Sequence, residues 1–189
     1  MAPSNHLYNL FEAAIPRRDK TFIELPEGGH VSFGDLFDLT AQIAAGLQAR
    51  GLTPGDRVAV QVEKTWQALA LYLATLRAGG VFLPLNTAYT DRELDYFLTD
   101  AEPRIFVCDP ARQATATAIA ANAGVKHLET LDAAGTGTIL DGTTKGAVLE
   151  PVARGIDDPA SILYTSGTTG RSKGALLSHG NLASNAATF

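Results

Sequence analysis

Residues 57–84 read RVAVQVEKTWQALALYLATLRAGGVFLP, and the succession of patterns within them decides the fold. Arg57-Val58-Ala59-Val60-Gln61-Val62 alternates polar and apolar side chains, as a half-buried strand does. From about Lys64 to Ala78 the period lengthens. Leu69, Leu73 and Leu76 recur at helical spacing, and Gly79-Gly80 supplies the residue type that ends helices. Val81-Phe82-Leu83 is a second apolar run, stopped by Pro84. Strand, helix and strand in this order make a βα unit.

The alternation continues in both directions. Toward the C-terminus, Thr90 and Glu93 form a capping box ahead of Leu94, Phe97 and Leu98, and Arg104 to Cys108 is a further apolar strand. Ala111 to Ala123 predicts an Ala-rich helix ending at Gly124, and Val125 to Leu131 a short strand. Toward the N-terminus, Thr53-Pro54-Gly55-Asp56 is a turn. It follows a helix opened by Ser32 and Asp35 that carries Leu36, Leu39, Ile43 and Leu47 as far as Arg50-Gly51. Thr21–Leu25 and Val31–Phe33, joined by Glu27-Gly28-Gly29, predict a hairpin, and His6 to Ile15 a short amphipathic helix with Pro16 just beyond it. Residues 132–158 weaken into Gly, Thr and Asp around Ala147-Val148-Leu149 and read as a loop-rich connection. Ile162-Leu163-Tyr164 then predicts a buried strand, Ala175-Leu176-Leu177 another, and Ser178-His179-Gly180-Asn181 the start of a helix. The expected class is α/β, with a mostly parallel sheet flanked by helices.

A chain of 189 residues, 46% hydrophobic and 19% charged, can bury a full core. A net charge of −5 argues against a nucleic-acid surface, which needs clustered Lys and Arg. The single cysteine, Cys108, excludes an intrachain disulfide and fits a reducing cytoplasm. No stretch approaches the ~18 apolar residues of a membrane-spanning helix. The expectation is a soluble protein with small-molecule partners, neither nucleic acid nor membrane.

Between the last two predicted strands lies Thr165-Ser166-Gly167-Thr168-Thr169-Gly170-Arg171-Ser172-Lys173-Gly174. Glycines let successive N–H groups point into one concavity around an anion. Hydroxyls on Thr165, Ser166, Thr168 and Thr169 can donate to phosphate oxygens or meet a phosphate-bound magnesium ion, and Lys173 adds a mobile positive charge. A solvated polar loop is the alternative, but strands on both sides together with hydroxyls, glycines and cations favour an oligophosphate. A Walker A loop fails on spacing, because Lys173 is followed by Gly174, and on context, because a strand follows where a helix is required.

Tyr164 to Gly174, with Ser178-His179-Gly180-Asn181-Leu182, resembles the phosphate-loop motif of the adenylate-forming superfamily of acyl-CoA synthetases, nonribosomal adenylation domains and luciferases. Val62-Glu63-Lys64, Ala68 to Leu73, Leu83-Pro84-Leu85-Asn86-Thr87-Ala88-Tyr89-Thr90 with Glu93-Leu94, and Asp100-Ala101-Glu102-Pro103 are similar to its malonyl-CoA and methylmalonyl-CoA synthetase branch. The resemblance covers nearly the whole chain but only the N-terminal part of a complete member. It implies ATP, magnesium and coenzyme A, with malonate or methylmalonate as the preferred acid. It also implies a two-step reaction through an acyl-adenylate, in which Thr165, Ser166, Gly167, Thr168, Thr169, Gly170 and Lys173 hold the β- and γ-phosphates. The family's magnesium motif, ribose-binding Asp, hinge and catalytic Lys in a small C-terminal domain would lie beyond Phe189. The expectation is therefore an N-terminal piece of an AMP-binding domain, inactive alone. A ligase for another acid, a carrier-loading adenylation domain, or a non-catalytic nucleotide-binding module remain alternatives.

The other candidates have plainer readings. Cys108 sits in an apolar run and reads as an inert core thiol. His6, His30, His127 and His179 lack ligand-like spacing. An acyl-pocket position is one reading of His179, but it reads better as capping a helix start or lying on the surface. Trp66 is expected at a helix–sheet junction, and Arg171 either touches phosphate or is solvated.

Overall fold

The structure, a computed structural model, describes residues 5–15, 17–141, 143, 149–165 and 172–188. Asn5 opens the first helix, α1 (His6–Ala13), two residues shorter than expected. Its side chain accepts from the Tyr8 N–H at 3.3 Å and donates to the carbonyls of Leu76 and Val152. The hairpin forms from β1 (Thr21–Glu24) and β2 (His30–Ser32), paired antiparallel. Phe33, expected in the strand, begins α2 (Phe33–Ala49) instead, because the Ser32–Asp35 capping box forms and fixes the helix start there. Gly51, at φ +78°, takes the left-handed conformation that ends this helix.

The βα unit that anchored the sequence reading becomes β3 (Arg57–Gln61), α3 (Trp66–Arg77) and β4 (Val81–Pro84), with β3 and β4 parallel. Then come α4 (Asp91–Ala101), β5 (Ile105–Cys108), α5 (Gln113–Asn122) and β6 (His127–Thr130). The helix expected from Ala111 starts with a 3₁₀ turn over Pro110–Arg112. Within the loop-rich connection, Thr138–Leu140 forms a 3₁₀ turn whose Ile139 is buried, and Leu149 packs on the core. Ala147 and Val148 lie outside the described residues. The last elements are β7 (Pro159–Thr165), β8 (Lys173–Ser178) and α6 (His179–Ala186).

The strands order as β6-β5-β3-β4-β7-β8; all neighbours pair parallel except β7 and β8. This is the expected mostly parallel sheet with helices on both faces. Val58, Val60, Ile105 and Val107 point to α2 and α3, whereas Ala59, Leu83, Phe106 and Cys108 point to α4 and α5. The half-buried reading of residues 57–62 is corrected: Val58, Ala59, Val60 and Gln61 are all buried. A parallel sheet covered by helices leaves no wet face, so alternation along β3 separates two cores instead of core and solvent. The buried-strand reading of Ile162–Tyr164 is likewise corrected. Burial in β7 falls on Ala160 and Ser161, while Leu163 is 40% exposed.

Candidate functional site

From β3 the chain passes through α3 to β4 on one side, then through α4 back across β3 to β5 on the other. Such a reversal opens a crevice at the carboxyl ends of the strands, where open α/β sheets bind ligands. Val60, Val62, Lys64, Phe82 and Asn86 line a cavity of about 590 Å³ there, and Gln61, Glu63, Thr87, Asp109 and Arg112 a second of about 320 Å³. The segments Val62–Lys64 and Leu83–Thr90 thus converge in space, although residues of α3 separate them in sequence.

β7, which leads to Thr165, ends at the same edge of the sheet. Parallel pairing of Phe82 with Ser161, supported by a Ser161 Oγ bond to the Phe82 carbonyl at 2.8 Å, seats β7 beside β4. β8 returns antiparallel, with Thr165 opposite Lys173 as the pair nearest the loop. Both are exposed, so a hydroxyl and an ammonium stand together at the loop's base. Ser166, Gly167, Thr168, Thr169, Gly170 and Arg171 lie outside the described residues. Gly174 stands opposite Tyr164 in the ladder. A Cβ there would stand 3.5 Å from the ring and 3.1 Å from Ile162 Cγ2.

Three α4 residues reach this hairpin: Tyr96, which the sequence reading did not single out, and Phe97 and Asp100, which it named only as a helix-face residue and as part of a resembling segment. The Tyr164 hydroxyl donates to Asp100 Oδ2 at 2.5 Å, and the Tyr96 hydroxyl to the Ser172 carbonyl at 2.8 Å. Phe97 lies 4.3 Å from Tyr164, centroid to centroid. Burial, and then the Asp100 carboxylate, push the Tyr164 phenol well above its ordinary range, so it remains a neutral donor. The available signal was the i, i+4 spacing of Tyr96 and Asp100, which places them on one face of a helix without saying what they meet.

Gln61, 1% exposed, was missed as well. Its Nε2 donates to the Asn86 carbonyl at 2.9 Å, while its buried Oε1 has no partner among the described residues and borders the smaller cavity. A polar residue ending an otherwise apolar buried strand was the only hint.

His179 departs from the expectation of a cap or a surface position. Ser178 caps α6, and His179 is fully buried, its Nδ1 accepting from the Leu7 N–H of α1 at 3.3 Å. Burial, and secondarily Arg154, hold its pKa down at about 4, with Asp158 opposing. It joins two helices and does not line the crevice cavities. Cys108 is a buried core thiol, as expected, pushed up to about 11 by burial. Trp66 packs partly buried where α3 begins, beside Ile23 and Leu25 of the hairpin. Among the described residues no three His, Cys, Asp or Glu side chains cluster as metal ligands, and no helix is long and apolar enough to cross a membrane.

Comparison with known proteins agrees with this geometry. The sequence profile described as "AMP-binding enzyme" matches residues 10–189. The crystal structure of ATP-bound MatB from Rhodopseudomonas palustris is 51% identical, with a TM-score of 0.90 over 97% of this chain and 37% of that one. A probable CoA ligase from Humulus lupulus is 32% identical over 93% of this chain and 34% of its own length. For a feruloyl-CoA synthase from Amycolatopsis the figures are 36% identity, 82% and 30%. The chain therefore spans about a third of the length of the relatives it matches. A parallel sheet with its crevice and glycine–hydroxyl hairpin at one edge, together with a profile match over nearly every residue, places the chain in the family of AMP-binding enzymes.

Proposed function

We infer that this chain is the N-terminal part of an ATP-dependent acid–CoA ligase and that residues 165–173 hold the nucleotide's phosphates. The observation carrying the inference is the glycine- and hydroxyl-rich sequence between Thr165 and Lys173, whose two flanking residues stand opposite each other at the carboxyl edge of the sheet. In the first step a carboxylate oxygen attacks the α-phosphorus of ATP, the bond to the bridging oxygen breaks, and pyrophosphate leaves. In the second, the thiol of coenzyme A displaces AMP from the acyl carbon and gives up its proton. Thr165, Ser166, Thr168 and Thr169 would donate to phosphate oxygens, and the glycines would admit the backbone N–H groups of the loop. Lys173 would offset the charge that grows on the leaving pyrophosphate. The hydroxyls of Thr165, Ser166, Thr168 and Thr169 would suit a phosphate-bound magnesium ion, which would supply further neutralisation of phosphate charge.

Malonate or methylmalonate is the acid this reading prefers. That preference rests on the Leu83–Thr90 resemblance and is in keeping with the 51% identity to MatB. The proposed compartment is the cytoplasm, where ATP and coenzyme A are supplied. Acid-dependent exchange of labelled pyrophosphate into ATP tests the function in the full-length protein. Malonate or methylmalonate should support exchange and, with coenzyme A, yield the thioester. Residues 1–189 alone should yield no acyl-CoA. Absence of exchange with any carboxylic acid would refute the ligase reading, and exchange with a different acid would refute only the substrate.

A further inference from the structure

We propose that Tyr96 and Asp100 of α4 are positioning residues for the phosphate loop, each fixing one of its two ends; the proposal rests on the reading of residues 165–173 as the ATP-gripping segment. Asp100 accepts from Tyr164, the residue before Thr165, and Tyr96 donates to the carbonyl of Ser172, the residue before Lys173. Thr165 and Lys173 are themselves opposed in the β7–β8 ladder. Two bonds from one helix therefore hold the outgoing and returning strands at the same level.

The helix is a firm support for this purpose. Leu94, Phe97 and Leu98 are buried against β4 and β5 side chains, and the Thr90–Glu93 capping box fixes the start of α4. Phe97 and Tyr96 pack against the Tyr164 ring at 4.3 and 6.2 Å, filling the space between helix and hairpin.

Ordering a segment around an anion as it binds costs conformational entropy. Fixing the separation and direction of its ends before binding lowers that cost. Neither α4 side chain has to touch the nucleotide for this to work. Loss of an anchor should therefore weaken ATP binding selectively, leaving the acid and the chemical step nearly unchanged.

The test compares Tyr96→Phe, Tyr164→Phe, Asp100→Ala and Asp100→Asn in the full-length protein. Steady-state constants for Mg-ATP and acid are read beside the melting temperature, with Lys173→Ala and Thr168→Ala as controls on the loop. Tyr96→Phe and Tyr164→Phe should raise the KM for ATP about three- to tenfold, the range for one lost hydrogen bond. The KM for the acid and kcat should change less than about twofold, within the noise of such comparisons. Asp100→Ala should match Tyr164→Phe, and combining the two should add nothing, because they share one bond. Asp100→Asn keeps an acceptor and should restore the affinity for ATP.

An unchanged KM for ATP in both tyrosine variants, with Lys173→Ala raising it, overturns the anchoring proposal while the loop reading stands. If Lys173→Ala and Thr168→Ala also leave it unchanged, the loop reading fails and the anchors fail with it. Equal rises in both KM values that track a falling melting temperature would show support of the fold alone, which also overturns the proposal.

Discussion

His179 accepts a backbone N–H on Nδ1, so its proton sits on Nε2, and protonating Nδ1 would break the bridge between α6 and α1. Its pKa of about 4 in the folded chain lies below the ordinary value of 6.5, so between these pH values the unfolded chain binds a proton that the folded one does not. Stability from this residue is fully present above about pH 6.5 and is lost as pH falls toward 4. The charged groups facing the ring are Arg154 and His6, which disfavour the extra proton, and Asp158, which favours it. Thermal melting from pH 7 to 4.5 should show a falling midpoint, with a slope of at most about 1.4 kcal/mol per pH unit for one proton. His179→Gln should flatten the fall; identical slopes in the two proteins would contradict the assignment. Nothing in Ser-His-Gly-Asn foretold this role, because Leu7, the partner, lies 172 residues away in sequence. Cys108 was legible for the opposite reason: it ends an apolar run, Ile105–Cys108, that is buried at every position, so its sequence neighbours alone mark it as interior.

At the level of elements, features set by local chemistry were legible and those set by pairing were not. All three capping boxes sit where helices start, since Ser32 with Asp35, Thr90 with Glu93 and Ser178 with Asn181 each satisfy N–H groups within a single turn. Thr90→Ala should cost ~1 kcal/mol. In urea that loss should appear as a lower midpoint with an unchanged slope. Burial of β3 on both faces was hidden, because Arg57 and Gln61 look like solvent residues until their bonds to Ala101, Glu102 and Asn86 are seen. The direction of β8 was hidden too, since an apolar run does not state which way it pairs. Gly174→Ala places a methyl 3.1 Å from Ile162 Cγ2 and at ordinary contact distance, 3.5 Å, from the Tyr164 ring, so Ile162 must yield slightly, and the change should cost no more than ~1 kcal/mol. A variant as stable as the parent would mean that the hairpin adjusts without strain.

Across the molecule, a βα alternation written into residues 57–84 generates a sheet whose connections reverse beside β3. The carboxyl edge that this creates gathers segments scattered along the chain: Gln61 to Lys64, Asn86 to Ala88, Asp109 to Arg112, and the hairpin at Thr165 and Lys173. The glycines, hydroxyls and cations between Thr165 and Lys173 are all visible in one short stretch of sequence. The crevice beside the hairpin is not, because no single stretch contains it. Calorimetric titration of Mg-ATP into the full-length protein and its Lys173→Ala and Thr168→Ala variants measures the proposed grip of Thr165–Lys173 on ATP phosphates. Both variants should bind Mg-ATP at least about tenfold more weakly, as expected when a charge-assisted contact to phosphate is lost. Dissociation constants equal to the parent's in both would contradict the claim.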